Sequence, residues 1–338
     1  MFARYRRDRC YVIAEIGGNF TTFEEAKHLI DEAAKTGADA VKLQTYRAET
    51  LSSKKAMFDM ENTGVTSQYE LFRKYEVDED LHRKVFTYAG EQGLDWFSTP
   101  SHSSDADMLE RLGVGVFKVG SDDAYNIPFL KDLARRGKPV MMSTGMCTLD
   151  EVKESVAAMR ETGNSQIMLL HAITSYPTHP DSVNLRAMTT LAETFPDLDV
   201  GYSDHTLNSL ACVSAVAMGA RIIEKHFTWD RKATGPDHML SADPKEMTEL
   251  VNSIRLVEQM RGDGVKRPAL GEIKTRRNNR KSIVLGRDVA AGEAITAAHL
   301  TIKRPGYGIE PKHFDSLVGR TARRALAAED VLSWDDLT

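Results

Sequence analysis

Residues 198–228 read LDVGYSDHTLNSLACVSAVAMGARIIEKHFT, and this stretch decides the fold. An apolar run over 198–203 breaks off at Asp204 and His205. A helical pattern follows over 208–219, then a second apolar run over 221–227 that carries Glu224, Lys225 and His226. Short apolar runs of this length read as buried strands, and the longer segment between them reads as a helix. A strand, a crossover helix and a second strand make the parallel unit of an α/β fold. The same unit recurs upstream. Strands are expected at 11–14, 39–45, 95–99, 116–120, 139–144 and 166–172. Helices are expected near 79–93, 103–113, 127–137, 148–162 and 185–195, with a last one at 243–260. The first helix is marked by a capping box, Thr22 with Glu25, and by an apolar stripe of Ala26, Leu29, Ile30, Ala33 and Ala34 that stops at Gly37. Eight strand–helix units in about 250 residues predict a TIM (β/α)8 barrel. An open doubly wound sheet usually has fewer parallel strands and needs a switch point. Segment 46–78 is long for a strand–helix loop and is expected to lie over one end of the barrel.

The barrel is assigned to residues 1–260, a Gly- and Pro-containing linker with a basic run to 261–280, and a small domain of short strand-like pieces to 281–338. The 338 residues are enough for a large core without staples. Forty-four Lys and Arg against 49 Asp and Glu leave a net charge of −5, which argues against a nucleic-acid or anionic-membrane binder. No apolar run approaches the roughly 20 residues of a membrane span. Three scattered cysteines, Cys10, Cys147 and Cys212, make neither a disulfide framework nor a zinc knuckle. A reducing cytoplasm is the expected location.

Active sites of TIM barrels lie at the C-terminal ends of the strands. His205 and His226 end neighbouring strands, with Glu15 close across the first. Two imidazoles in that arrangement read as a divalent-metal site with open positions. Lys42 and Lys118 sit in otherwise apolar strands, where an unpaired ammonium is costly. A small phosphorylated anion would satisfy both, helped by hydroxyls of Ser98, Thr99, Ser121, Ser143, Thr144 and Ser203 and by backbone NH groups of 143–145. The alternative is internal pairing with Glu15, Asp123 or Glu224. No Walker or dinucleotide fingerprint is present. The cysteines read as inert thiols, the basic run as solvated surface, Met141 and Met142 as barrel core, and His28, His82, His299 and His313 as surface residues. His102, His179 and His238 are placed in loops on the active face.

Ten stretches, read in order, resemble the sialic acid synthases: IAEIGGN (13–19), ADAVKLQTY (38–46), FSTPS (97–101), FKVGSDDAYNIPFL (117–130), GKPVMMSTGM (137–146), LLHAITSYPT (169–178), GYSDHT (201–206), IIEKHFT (222–228), GPDH (235–238) and IKRPGYGI (302–309). The resemblance implies a barrel followed by an antifreeze-like (SAF, β-clip) domain. It also implies a homodimer in which that domain caps the partner's barrel. The implied reaction condenses phosphoenolpyruvate with an N-acylated amino sugar and water, giving a nine-carbon acid and phosphate. By position, the resemblance assigns His205 and His226 to the metal, usually manganese, with magnesium or cobalt as alternatives. It places Glu15 beside the metal and the attacking water. It gives Lys42, Thr99, Lys118, Ser121, Ser143 and Ser203 to phosphoenolpyruvate. Gln44, Tyr176 and Asp237 fall on the acceptor sugar, and Arg304 reaches it from the partner chain. Three positions depart from the family pattern: Phe20, Asp122-Asp123 and Ala172. Asp123 stands where a glutamate contacts the sugar. It is shorter by about 1.5 Å and is expected to face a differently substituted acceptor, such as a 6-deoxy diacetamido hexose in place of N-acetylmannosamine. Competing readings are a synthase acting on a sugar phosphate, an inactive sugar-binding barrel and an ice-binding tail.

Overall fold

The computed structural model describes residues 2–60 and 64–338. The chain divides into two compact units, Met1–Gly262 and Asp263–Thr338.

Among the described residues the first unit contains ten strands: β1 (Tyr11–Glu15), β2 (Ala40–Thr45), β3 (Met57–Met60), β4 (Gly64–Ser67), β5 (Asp95–Pro100), β6 (Phe117–Val119), β7 (Val140–Ser143), β8 (Ile167–Ala172), β9 (Asp199–Asp204) and β10 (Ile222–His226). All but β3 and β4 form a closed parallel barrel in the order β1-β2-β5-β6-β7-β8-β9-β10. These are the eight strands that the apolar runs predict. The helices around it are α1 (Phe23–Thr36), α4 (Glu79–Glu91), α5 (Ser103–Arg111), α6 (Ile127–Arg135), α7 (Leu149–Arg160), α8 (Arg186–Thr194), α9 (Leu210–Ala217) and α10 (Pro244–Met260). The capping box on α1 is formed, and Gly37 ends the helix in the left-handed conformation at φ 83°. Between β2 and α4 the chain builds a small excursion of its own: α2 (Ala48–Leu51), the antiparallel hairpin of β3 and β4, and α3 (Gln68–Tyr75). Residues 61–63 of the expected 46–78 loop lie outside the described residues.

Strand alternation sorts the side chains into two cores. Val12, Ala14, Val41, Leu43 and Met142 point outward under the helices. Tyr11, Ile13, Phe97, Met141, Met168, Leu170 and Ile222 point inward and fill the lower barrel. The basic N-terminal segment closes that lower end. Phe2 stacks on Tyr5 at 5.0 Å and meets Tyr11 edge-on at 5.2 Å. The Ala3 and Arg4 amides donate to Asp95, and the Tyr5 hydroxyl donates to Asp199 at 2.5 Å. The first residues are therefore a plug, a role their composition does not announce.

His82 is the one histidine whose burial contradicts a surface reading. It lies on the inner face of α4 with no exposed area. It tolerates burial because both ring nitrogens are satisfied, by Thr45 Oγ1 and by the Asp78 carbonyl, each at 2.8 Å.

The second unit has its own core of Ile283, Leu285, Val289, Ile295, Leu300, Leu317 and Leu332 around an antiparallel pair, β11 (Ser282–Leu285) and β12 (Leu300–Lys303). A short helix, α12 (Phe314–Leu317), packs on it. Residues 270–279, which composition assigns to a linker, are helical, with α11 at Ile273–Asn279. The Arg277 carbonyl receives the Gly306 amide at 2.9 Å, and its guanidinium lies over the Tyr307 ring at 5.6 Å, so this segment is held by its own unit. Among the described residues no helix is long and apolar enough to cross a membrane.

The plug gives a direct expectation. Tyr5→Ala removes both the ring packing and the bond to Asp199, and should lower unfolding free energy by about 1–3 kcal/mol. Urea unfolding checks this, and an unchanged midpoint would show that the plug adds nothing to stability.

Candidate active site

A cavity of about 290 Å³ opens at the C-terminal ends of the barrel strands. Its floor is charged. Lys42 Nζ lies 2.8 Å from Glu15 Oε2 and 3.7 Å from Glu224 Oε1. Lys118 Nζ lies 3.6 Å from Glu224 Oε2. Hydroxyls surround the lysines: Lys42 donates to Thr99 Oγ1 at 3.0 Å, and Lys118 to Ser143 Oγ at 2.6 Å. Strand register explains the grouping. Glu15 is paired with Lys42 of β2 on one side and with His226 of β10 on the other, while Glu224 is paired with Ser203 of β9. All these side chains belong to the inward set, above the apolar filling.

The four charges balance, and their burial sets their protonation. Burial raises Glu15, with Glu224 adding to it, and Lys42 offsets this only in part. Burial opposes the charge on Glu224 too, but Lys118 and Lys42 outweigh it and hold that carboxylate low. Lys42 is held protonated against burial by Glu15 and Glu224, whereas burial pulls Lys118 down. Both lysines thus have internal partners, the alternative to an anion that the sequence left open. The oxygen Glu224 Oε2 accepts no hydrogen bond.

One wall holds the imidazoles. The His205 and His226 ring centres are 5.5 Å apart, and Tyr176 packs on His205 at 4.2 Å. His205 Nδ1 donates to the Ile173 carbonyl at 2.7 Å, which leaves its Nε2 lone pair free. His226 Nδ1 is buried without a hydrogen-bond partner, with Asp237 Oδ2 at 3.5 Å. Burial lowers both histidines, and His205 with Lys42, Lys225 and Lys118 lowers His226 further, so both rings are neutral near pH 7. Two neutral imidazoles with free lone pairs suit a divalent ion. Among the described residues no group of three or more His, Cys, Asp or Glu is placed to hold one. The remaining positions would fall to water and substrate.

Behind this wall lies a second buried pair. Lys225 Nζ donates to Asp204 Oδ2 at 2.6 Å and to the Thr206 carbonyl at 2.8 Å. Asp204 also accepts from the Thr206 amide and from the Tyr202 hydroxyl. Each partner is one residue from an imidazole, so the pair ties the end of β9 to β10. Breaking such a pair on one side typically costs about 3–5 kcal/mol.

The sequence was compared with known proteins. The model of the NeuB family matches residues 29–266, and that of the SAF domain matches residues 280–338. The chain belongs to the NeuB family. Its relatives in this family include an N,N'-diacetyllegionaminic acid synthase of Legionella pneumophila, 41% identical over 97% of this chain and 94% of that protein. A synthase of the same name from Campylobacter jejuni is 37% identical over 95% of this chain and 98% of its own. The crystal structure of an N-acetylneuraminic acid synthetase from Leptospira borgpetersenii is similar, with a TM-score of 0.71 and 30% identity over 79% of this chain and 90% of that one. Each of these relatives carries the name of an acid synthase or synthetase.

Most residues that the sequence singled out line the cavity: Lys42, Gln44, Thr99, Lys118, Ser121 and Ser143 on one part, and Tyr176, Ser203, His205, His226 and Asp237 on the other. Glu15 lies directly behind them with no exposed area, its Oε1 receiving Gln44 Nε2 at 3.2 Å and the Gly17 amide at 3.0 Å. A side chain at Gly17 would collide with that same oxygen. Arg304 is exposed in the second unit.

Three expectations need correction. Asp123 does not line the cavity; Asp122 does. Asp123 instead accepts from Asn126 Nδ2 at 2.8 Å, and Asn126 caps α6, so helix capping claims the carboxylate. Of the backbone NH groups of 143–145, those of Thr144 and Gly145 are not free for an anion, because Thr144 donates to the Leu170 carbonyl and Gly145 to Ser121 Oγ. His102, His179 and His238 are not on the lining; they bond Ser104, Asp181 and Thr228. The departures are local: Phe20 and Ala172 are both buried. Glu224 was not among the expected site residues, although it sits two positions before His226 and so shares its face. The apolar residues contributed by segment 46–75 were also missed.

Asp237 provides a pH test. Burial, with Glu15 adding to it, pushes its carboxyl up to about 7 from an ordinary 3.8. A raised carboxyl favours the fold below its ordinary value, and that contribution is lost as pH rises through about 7. Asp237→Asn escapes this loss. In chelator, the stability of Asp237→Asn relative to wild type should rise between pH 5 and 8, by about 2–3 kcal/mol. A pH-independent difference in melting temperature would contradict the shift.

Proposed function

We propose that the cavity condenses phosphoenolpyruvate with the open-chain form of an N-acylated amino sugar and water, giving a nine-carbon nonulosonic acid and phosphate. The observation that carries this reading is the junction, within one cavity, of a lysine–hydroxyl floor and a pair of neutral imidazoles. The names of the Legionella and Campylobacter relatives, which specify a diacetylated nonulosonic acid, support the product class.

Lys42 and Lys118, with Thr99, Ser121, Ser143 and Ser203, hold the phosphate and carboxylate of phosphoenolpyruvate. Anion binding draws the lysines partly away from Glu15 and Glu224. Gln44, Tyr176 and Asp237 orient the sugar so that its aldehyde carbon faces C3 of phosphoenolpyruvate. C3 attacks that carbon, and the C2 cation that develops is quenched by water. Glu15, whose proton affinity burial raises, takes one proton of that water, and a proton is returned to the oxygen of the former aldehyde, which becomes a hydroxyl. The tetrahedral adduct then expels phosphate, whose charge the lysines stabilise. His205 and His226 are the residues to hold a divalent ion, with manganese the leading ion and magnesium or cobalt the alternatives. When bound, it supplies Lewis-acid polarisation of the aldehyde. Arg304 is assigned to the acceptor's N-acyl group in a homodimer with exchanged C-terminal domains. The cytoplasm, where phosphoenolpyruvate is made and thiols stay reduced, is the proposed location.

The test supplies phosphoenolpyruvate, manganese and a panel of N-acylated amino sugars, and reads phosphate and product mass. Phosphate should appear only with an amino sugar, and chelation should lower the rate at least 100-fold. Turnover with arabinose 5-phosphate alone would overturn the reading. Arg304→Ala should lower kcat/KM for the acceptor at least tenfold, with unchanged melting temperature; unaltered kinetics would remove Arg304 from the site.

A further inference from the structure

The cavity has a third surface that the floor and the imidazole wall do not account for. It is made by Tyr46, Leu51, Phe58, Leu71, Phe72 and Tyr75, all from the excursion that follows β2. The rings are braced against one another: Phe72 meets Tyr46 edge-on at 5.1 Å and Phe58 at 5.5 Å. Tyr46 and Tyr75 are buried, while Leu51, Phe58, Leu71 and Phe72 keep partial exposure toward the cavity they line. The wall abuts the acceptor side of the site. The Asp237 carboxylate is near enough to Tyr46 to raise its phenol, after burial, and Asp237 in turn stands 3.5 Å from His226.

Such a wall discriminates among sugars. A hydroxyl pressed against leucine and phenylalanine side chains loses its water without gaining a partner. A methyl in the same place gains about fourfold in binding. Apart from Met146, Pro236 and two glycines, the rest of the lining is polar, and it carries the groups assigned above to phosphoenolpyruvate and the aldehyde end of the sugar. The apolar wall is surplus to an acceptor that carries hydroxyls along its whole length.

We infer that Tyr46, Leu51, Phe58, Leu71, Phe72 and Tyr75 form a specificity wall that selects an acceptor whose part remote from the aldehyde presents methyl groups, of a deoxy carbon and of a second N-acyl substituent, in place of hydroxyls. This rests on the condensation proposed above. It assigns the selectivity to Phe58, Phe72, Leu51 and Leu71, which come from no barrel strand, and not to Asp123, whose carboxylate accepts from Asn126 and is not part of the lining.

The experiment uses the full chain with phosphoenolpyruvate, manganese and a matched series: N-acetylmannosamine, its 6-deoxy analogue, and the 6-deoxy analogue with a second acetamido group at C4. Wild type should show kcat/KM rising along the series, at least tenfold from first to last and chiefly through KM. Phe58→Ser and, as an independent variant, Leu71→Asn should each lower kcat/KM for the last sugar at least five times more than for the first. Equal use of the three sugars by wild type would overturn the inference, as would a ratio unchanged in both folded variants. Failure of every amino sugar to release phosphate would instead count against the condensation itself.

Discussion

A closed barrel of eight parallel strands admits only side chains to its interior, and every second residue of each strand must go there. That constraint governs the rest of the first unit. The lower interior is filled with apolar side chains, so the polar inward residues are confined to the upper layers. There Glu15, Lys42, Lys118 and Glu224 are all buried and pair with one another. Their mutual neutrality is what allows four ionisable groups to occupy the floor of a cavity.

The same neutrality shapes the chemistry. An entering anion does not meet two free ammonium groups; it competes with two carboxylates. Glu224 is the weaker competitor, since it stands 3.6–3.7 Å from both lysines. Glu15 is the stronger one at 2.8 Å, but burial raises its proton affinity. Binding of an anion and protonation of Glu15 therefore favour each other, which couples substrate occupancy to the state of the nearest base.

Much of this was legible in the sequence, and the reasons are physical. Barrel strands are buried on both sides and read as short apolar runs, so all eight were found. Polar residues that interrupt such runs are costly and therefore informative, which is why the lysines and histidines stood out. Glu224 was passed over although it obeys the same two-residue period as His226. Asp123 was misplaced because a carboxylate beside a helix start has two uses, and Asn126 decided between them. His82 was read as a surface residue because a helical pattern cannot show that Thr45 and the Asp78 carbonyl meet both ring nitrogens. The aromatic wall was hidden in a segment with no barrel period.

The plug at the lower end of the barrel has a consequence for the order of assembly. Residues 3–5 precede every barrel strand in the chain, yet they bind Asp95 and Asp199, and the Tyr5 contact spans 194 positions of sequence. Their docking site does not exist until β9 has joined its neighbours. Loop-closure entropy makes such a distant contact late. These residues thus precede the barrel in the chain and are among the last of the unit to settle, and a fluorophore placed on them would report the moment of barrel closure.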